Sequence, residues 1–219
     1  MSPRDAARYF ANRLIGAGYV AYFAGGCVRD KLLGLVPKDY DIATSARPEE
    51  VLALFPGSNE VGAHFGVVIA KYHGQHVEIA TFRTDGSYKD GRRPETVEFS
   101  TPEHDAQRRD FSINGLFENP ETGEIIDFVG GRADLEARVI RAIGDPQARF
   151  TEDSLRLLRA LRFSTTLGFE IEPEAGMPGV EAGVQLGDAA DATRQVAGVE
   201  PWVHACPFSP VPRGDGSRP

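Results

Sequence analysis

The sequence has little sulfur, little tryptophan and no long apolar run. Two cysteines in 219 residues, Cys27 and Cys206, lie far apart and match no metal-ligand spacing, so neither a disulfide framework nor a zinc site is indicated and both read as ordinary thiols. No stretch approaches the ~20 continuous apolar residues of a spanning helix, which excludes an integral membrane protein. The opening Met1-Ser2-Pro3-Arg4-Asp5 also lacks the apolar core of a secretory signal, so the expected compartment is the cytoplasm. Positive charge is in deficit, 24 basic against 32 acidic residues for a net −8, which argues against a general nucleic-acid coat protein. Arginines nevertheless cluster at Arg83 to Arg93, at Arg108-Arg109 and at Arg156, Arg159 and Arg162, so a polyanion would meet particular patches.

Composition shifts near residue 170. From Glu170 to Pro219 there are 7 Gly and 7 Pro in 50 residues, or 28%, against 25 in the first 169, or 15%. With few, aperiodic large apolar residues (Ile171, Leu186, Trp202, Phe208), residues 171–219 are expected to be a disordered tail. The preceding part reads as mixed α+β. Ser2-Pro3 opens an amphipathic helix through Ala7, Phe10 and Leu14; Tyr19 to Phe23 is strand-like; Gly26 to Leu33 is helical. Lys38 to Ala43 reads as a strand, Pro48 to Phe55 as a helix, and Phe65 to Tyr72 with Gln75 to Phe82 as a hairpin turning at His73-Gly74. Thr84 to Glu95 reads as a mobile loop, Ser112 to Glu118 can pair with Glu124 to Phe128, and Thr151 begins a last helix.

Asp39-Tyr40-Asp41-Ile42 is the sharpest chemical feature. On a strand both carboxylates share one face, with Tyr40 and Ile42 on the other. Two ionised acids side by side repel, and a hard oxygen-seeking cation, Mg²⁺ above all, relieves the repulsion when phosphate oxygens complete its shell. A solvated surface pair has the same sequence. Upstream, Phe23-Ala24-Gly25-Gly26-Cys27-Val28-Arg29-Asp30 runs from an apolar strand through two glycines into a helix carrying Arg29. Glycines let a triphosphate approach the backbone, the first N–H groups attract an anion, and Arg29 adds a forked donor, although a tight turn also needs glycine. The run is neither a Gly-x-Gly-x-x-Gly dinucleotide fingerprint nor a Gly-Lys-Ser/Thr phosphate loop.

Taken together, Gly25-Gly26-Cys27-Val28-Arg29-Asp30, Asp39-Tyr40-Asp41, Arg108-Arg109-Asp110, Asp127-Phe128-Val129-Gly130-Gly131 and Glu152-Asp153-Ser154-Leu155-Arg156 stand in one order. Over Tyr19 to Phe169 the chain resembles the class II bacterial CCA-adding enzyme (tRNA nucleotidyltransferase) and poly(A) polymerase family, within the polymerase-β-like nucleotidyltransferases. The resemblance implies a head domain over residues 1–145, in which a mixed sheet packs with helices, then a partial helical neck over 146–170. Such enzymes run on into a helical body that grips tRNA, so the composition break is expected to mark a truncation.

The resemblance also implies roles for residues. Asp39 and Asp41 would hold two Mg²⁺, and Glu78, between Val77 and Ile79, is the best match to a third carboxylate, although an acid on a polar strand face is commonly just solvated. Gly25, Gly26 and Arg29 would cradle phosphate, and Arg109-Asp110 would contact ribose and triphosphate. A helix drawn from Glu152 to Phe163 sets Asp153 and Arg156 side by side near its start and places Arg162 among Leu155, Leu158 and Leu161. Asp153 and Arg156 can form a structural ion pair. By family resemblance they would instead template the incoming base, accepting the amine-plus-ring-nitrogen edge of cytosine or adenine and rejecting uracil and guanine. Arg159 and Arg162 would add nucleotide contacts, and the glycines of Asp127 to Gly131 would serve as a hinge, or simply a turn. The expected activity is addition of CMP and AMP to tRNA 3′ ends from CTP and ATP with Mg²⁺. A poly(A) polymerase, or a nucleotide-binding remnant without turnover, remains the alternative.

Overall fold

The computed structural model describes residues 1–60, 66–86, 96–153 and 155–172. The expected tail beyond Glu172, most of the expected loop (including Arg92 and Arg93) and Cys206 lie outside the described residues.

Helix α1 (Pro3–Gly16) begins where Ser2 and Asp5 form a reciprocal capping box, with Pro3 in the first turn. Its Ala6, Ala7, Phe10, Ala11 and Leu14 are buried at helical spacing. Strand β1 (Ala21–Ala24) leads into α2 (Gly26–Leu32); β2 (Asp41–Thr44), α3 (Pro48–Leu54), β3 (Asn59–Glu60), β4 (Val67–Tyr72) and β5 (Gln75–Thr81) follow. His73 and Gly74 both have positive φ, 47° and 79°, the conformation a two-residue hairpin requires between β4 and β5. The second half contains β6 (Arg83–Asp85), β7 (Val97–Phe99), α4 (Pro102–Arg108), a 3-10 turn Ser112–Asn114, β8 (Leu116–Glu118), β9 (Ile125–Asp127) and α5 (Gly131–Ala137). Last come β10 (Val139–Ile140), α6 (Pro146–Glu152), α7 (Leu155–Leu167) and β11 (Glu170–Ile171). The fold is α+β, as the sequence pattern implies.

Seven strands form the main sheet in the order β3-β4-β5-β2-β1-β8-β9. β2 and β5 run parallel, and the other neighbours are antiparallel. Alternation divides the two faces. Phe23, Ile42, Val68, Ala70, Val77 and Ile79 join Phe10 and Leu14 of α1 in the main core. Ala24, Ala43, Phe82 and Phe117 point the other way, against Ala106 of α4, in a smaller cluster. Asp41 and Glu78 are one residue out of step with the core-facing positions and so share the less covered face.

Three expectations change. The ladder of β2 starts at Asp41, not Lys38, because Asp41 already pairs with Ala24, the last residue of β1, and the chain beyond turns away at Gly25 with φ 72°. Tyr40 is still buried and Asp39 exposed, so the alternation survives one step beyond the ladder. Thr84 and Asp85, expected in a loop, pair with Glu98 and Val97 in a short β6–β7 ladder. Finally, the single helix expected from Thr151 is two helices, α6 and α7, broken at Asp153, whose backbone is extended (φ −145°, ψ 100°). No helix among the described residues is long and apolar enough to cross a membrane.

Candidate active site

The site lies on the open sheet face, where β1 hands over to α2. Gly25 takes φ 72° and its amide donates to the Leu116 carbonyl at 3.1 Å, which folds the chain back over the end of β8. A Cβ at Gly25 would sit 3.1 Å from Arg109 Nη1, so the position is constrained twice: by backbone sign and by the guanidinium beside it. Arg109 is anchored by Asp105, which accepts from Nη2 at 2.9 Å and Nε at 3.2 Å, and its Nη1 donates to the Asn114 carbonyl at 3.3 Å. Its guanidinium lies 5.0 Å from the Phe117 ring centroid.

Asp105 is 1% exposed and also binds Arg108 at 2.7 Å. Burial works to raise its carboxyl, but Arg109 and Arg108 outweigh that and hold it below the usual carboxylate value. Asp105 was not singled out in the sequence; its signal is its position three and four residues before Arg108 and Arg109 on α4.

Asp39 and Asp41 are both exposed and frame the buried Tyr40. Ile42 pairs with Ile79, so continuing the parallel register by one residue sets Asp41 opposite Glu78. Although solvent reaches Asp41, the protein around it limits hydration and pushes its carboxyl up to about 6; Glu78 and then Asp39 add repulsion, and Arg109 opposes them. Both Glu78 and Asp39 thus bear on Asp41. Among the described residues no three His, Cys, Asp or Glu side chains are gathered into a ready metal cluster. The arrangement fits a hard cation that takes part of its oxygen shell from a phosphate substrate, because such an ion would relieve the repulsion raising Asp41.

Arg29 takes a different place from the one expected. Its Nε and Nη2 donate to Asp30 Oδ1 at 2.8 and 2.6 Å and its Nη1 to Asn114 Oδ1 at 2.7 Å, so the fork braces α2 against the 112–114 turn rather than standing open for phosphate. Asn114 Nδ2 donates in turn to Asp110 Oδ1 at 3.1 Å, and Asp110 Oδ2 accepts from Arg159 Nε at 2.6 Å. Arg29, Asn114, Asp110 and Arg159 thus form one chain of hydrogen bonds joining α2, through the 112–114 turn, to α7. Asn114 was missed in the sequence, since nothing local distinguishes it.

Asp153 and Arg156 do not bond to each other as the continuous wheel implied. Asp153 Oδ1 accepts from the Leu155 amide at 2.9 Å, capping α7, while Arg156 Nη1 donates to Glu152 Oε2 and to the Arg149 carbonyl, both at 2.9 Å. The helix break separates the two side chains that a wheel would stack. Arg162 is exposed, and so are Leu155 and Leu158 beside it, at 40% and 41%; the buried face of α7 is Arg156, Ala160, Leu161, Phe163 and Ser164. Asp127, expected at a hinge, accepts from the amides of Val129, Gly131 and Arg132 and caps α5. A Cβ on Gly131 would lie 2.2 Å from the Ser112 carbonyl oxygen, so this glycine serves close packing. Cys27 is buried and its thiol is pushed up to about 12 by that burial, consistent with an inert core thiol.

A strand-glycine-helix turn beside paired acids on an open mixed sheet defines a nucleotidyltransferase-type head. The profile of the poly A polymerase head domain matches residues 21–141, and the chain belongs to that family. The chain is 49% identical over 158 residues to the CCA-adding enzyme of Geobacillus stearothermophilus, an alignment covering 72% of this chain and 39% of that one. It is 46% identical over 171 residues to the CCA-adding enzyme of Lactiplantibacillus plantarum, covering 78% and 42%. Among solved structures, the Bacillus stearothermophilus CCA-adding enzyme in complex with CTP superposes with a TM-score of 0.72 at 41% identity, over 80% of this chain and 42% of that one. A tRNA nucleotidyltransferase complexed with a primer tRNA and an incoming ATP analog gives 0.61 at 35% identity, over 76% and 47%. The chain spans about two-fifths of the length of the curated relatives it matches.

Proposed function

We propose that this chain is a template-independent RNA nucleotidyltransferase that adds CMP and AMP to the 3′ end of tRNA in the cytoplasm. The observation that carries the reading is that Asp41 and Glu78 share the less covered sheet face, with Asp39 also repelling Asp41 and Arg109 opposing them, in a chain 49% identical over 158 residues to a CCA-adding enzyme. In the reaction a bond forms between the RNA 3′-oxygen and the α-phosphorus, the α–β phosphoanhydride breaks, and pyrophosphate leaves. Two Mg²⁺ bound through Asp39 and Asp41, with Glu78 beside them, would supply Lewis-acid chemistry, easing deprotonation of the 3′-hydroxyl and neutralising phosphate charge.

This chain's residues supply the rest. Gly25 and Gly26 keep the wall free of side chains where the triphosphate lies, and Arg109, oriented by Asp105, faces it. Asp110, joined to Arg159, is assigned to the ribose hydroxyl. Asp153 and Arg156 are assigned to the base edge shared by cytosine and adenine; to present an acceptor beside a donor, Asp153 would give up its cap on the Leu155 amide and Arg156 its bonds to Glu152 and the Arg149 carbonyl. Arg159 and Arg162 on the exposed side of α7 add positive charge for the nucleotide.

The family description favours a second reading, poly(A) tailing from ATP alone. One experiment separates them: incubate the chain with Mg²⁺ and a tRNA lacking its 3′-CCA, offering each labelled ribonucleotide singly and then CTP with ATP, beside an Asp39→Ala/Asp41→Ala control. Ordered C-then-A addition lost in the control supports the proposal, ATP-only tailing of diverse RNAs supports the second reading, and nucleotide binding without incorporation indicates a remnant.

A further inference from the structure

Phe163 is 8% exposed in the middle of α7 and packs edge-on against Phe111 at 5.9 Å between centroids. Burial alone could be met there by leucine or methionine. The aromatic ring does something more: the guanidinium of Arg29 lies 5.0 Å from its centroid, that of Arg162 5.1 Å and that of Arg159 5.8 Å. Arg29 comes from α2 and the other two from α7. Helix geometry does not impose the Arg162 contact, since neighbouring residues on a helix point about 100° apart; the side chain folds back over the ring.

Three like charges around one ring repel one another, and the surrounding acids only partly compensate. Asp30 pairs with Arg29 at 2.6 Å and Asp110 with Arg159 at 2.6 Å, whereas Arg162 has no carboxylate partner among the described residues. A third carboxylate would hold the cluster together but would cancel the charge that attracts a polyanion. An aromatic face attracts cations through its quadrupole without carrying net charge, so it holds the guanidiniums while leaving the cluster positive.

We propose that Phe163 is a positioning residue, its ring packed on the braced Arg29 and holding Arg159 and Arg162 on its outer side in a net-positive cluster that receives the polyphosphate of the incoming nucleotide. The proposal deepens the nucleotide-transfer reading and rests on it.

The test is a graded one on the full 219-residue chain. Phe163 is replaced site-specifically by mono-, di- and trifluorophenylalanine, nearly isosteric rings with progressively weaker quadrupoles, and Kd is measured for CTP with Mg²⁺ and for inorganic tripolyphosphate, which has no base. The expected result is a stepwise rise in both Kd values, reaching about tenfold at three fluorines, with Tm unchanged. Phe163→Leu should raise the KM for CTP by about the same factor, with a smaller effect on kcat. A flat fluorine series overturns the proposal. If the leucine variant does not fold, the fluorinated series decides alone. A parent chain that binds neither CTP nor tripolyphosphate overturns the proposal together with the reading beneath it, whereas one that binds both and shows the series but transfers nothing to tRNA overturns only the transfer reading.

Discussion

At the scale of single residues the site is held in tension. Asp41 titrates at about 6, above its ordinary value near 3.8, because partial burial and then Glu78 and Asp39 disfavour its charge. The sign follows directly. The folded chain takes up a proton more readily than the unfolded one, so an ionised Asp41 costs stability above about pH 6, and the cost fades as pH falls towards 3.8 and vanishes below it. Asp41→Asn should therefore raise the Tm of the metal-free chain at pH 8, by the equivalent of about 1 kcal/mol or less after solvent screening. It should do so while lowering incorporation at least about a hundredfold, and scans from pH 8 to pH 4 should show the Tm gain disappear. An unchanged or lowered Tm at pH 8 would mean that the acids do not strain the fold. Asp105 behaves in the opposite way. Its carboxyl is held low by Arg109 and Arg108 against burial, so its contribution is complete above the ordinary carboxylate value and is lost as pH falls through the lower folded one. Asp105→Asn leaves two guanidiniums without their buried partner. A loss of about 3–5 kcal/mol in urea unfolding at neutral pH is expected, shrinking in strong acid, with weaker CTP binding through the loosened Arg109.

At the scale of elements, what was legible in the sequence depended on how local the cause was. The cap of α1, the His73-Gly74 hairpin and the glycine entry to α2 are set by a few adjacent residues, and the structure has each of them. The break between α6 and α7 was not legible, because Glu152 to Phe163 keeps a helical repeat through Asp153. There tertiary bonds win: Arg149 of α6 reaches the carbonyls of Arg108 and Arg109, and Asp153 caps a new helix. The β6–β7 ladder was missed for a similar reason. Its partner strand lies beyond a polar run that reads as loop, and the pairing is set by the position of Phe82 in the sheet. Gly131 offers a test of element packing. As the first residue of α5 it should tolerate alanine by propensity, yet a Cβ would meet the Ser112 carbonyl oxygen at 2.2 Å and its carbon at 2.8 Å. Gly131→Ala should cost about 1–3 kcal/mol in denaturant unfolding. A neutral or stabilising outcome would mean that α5 can slide away from the 112–114 turn and that the contact is soft.

At the scale of the whole molecule, the charge balance constrains how RNA can be held. A net −8 leaves no general attraction to a polyanion, so affinity must come from a few arginines gathered near one site. The structure shows most of the site's arginines already committed: Arg108 and Arg109 to Asp105, Arg29 to Asp30, Arg159 to Asp110, Arg156 to Glu152. Such pairing orients side chains for a small ligand, but it leaves few counterions to release when a nucleic-acid backbone arrives. The chain should therefore bind nucleotide with ordinary affinity and tRNA weakly. The logarithm of its tRNA association constant should fall against the logarithm of KCl concentration with a slope no steeper than about −3, corresponding to about four phosphate contacts at ~0.7 per contact on a single strand. Fluorescence titration of a labelled tRNA between 50 and 200 mM KCl, at fixed Mg²⁺, reads that slope. A steep dependence, near −6 or beyond, would require a broad basic surface that the described residues do not form, and would place the RNA grip in the segments outside them. A shallow one would mean that this chain recognises the nucleotide and the reacting end of the RNA, and that its KM for tRNA, rather than for CTP or ATP, sets its rate.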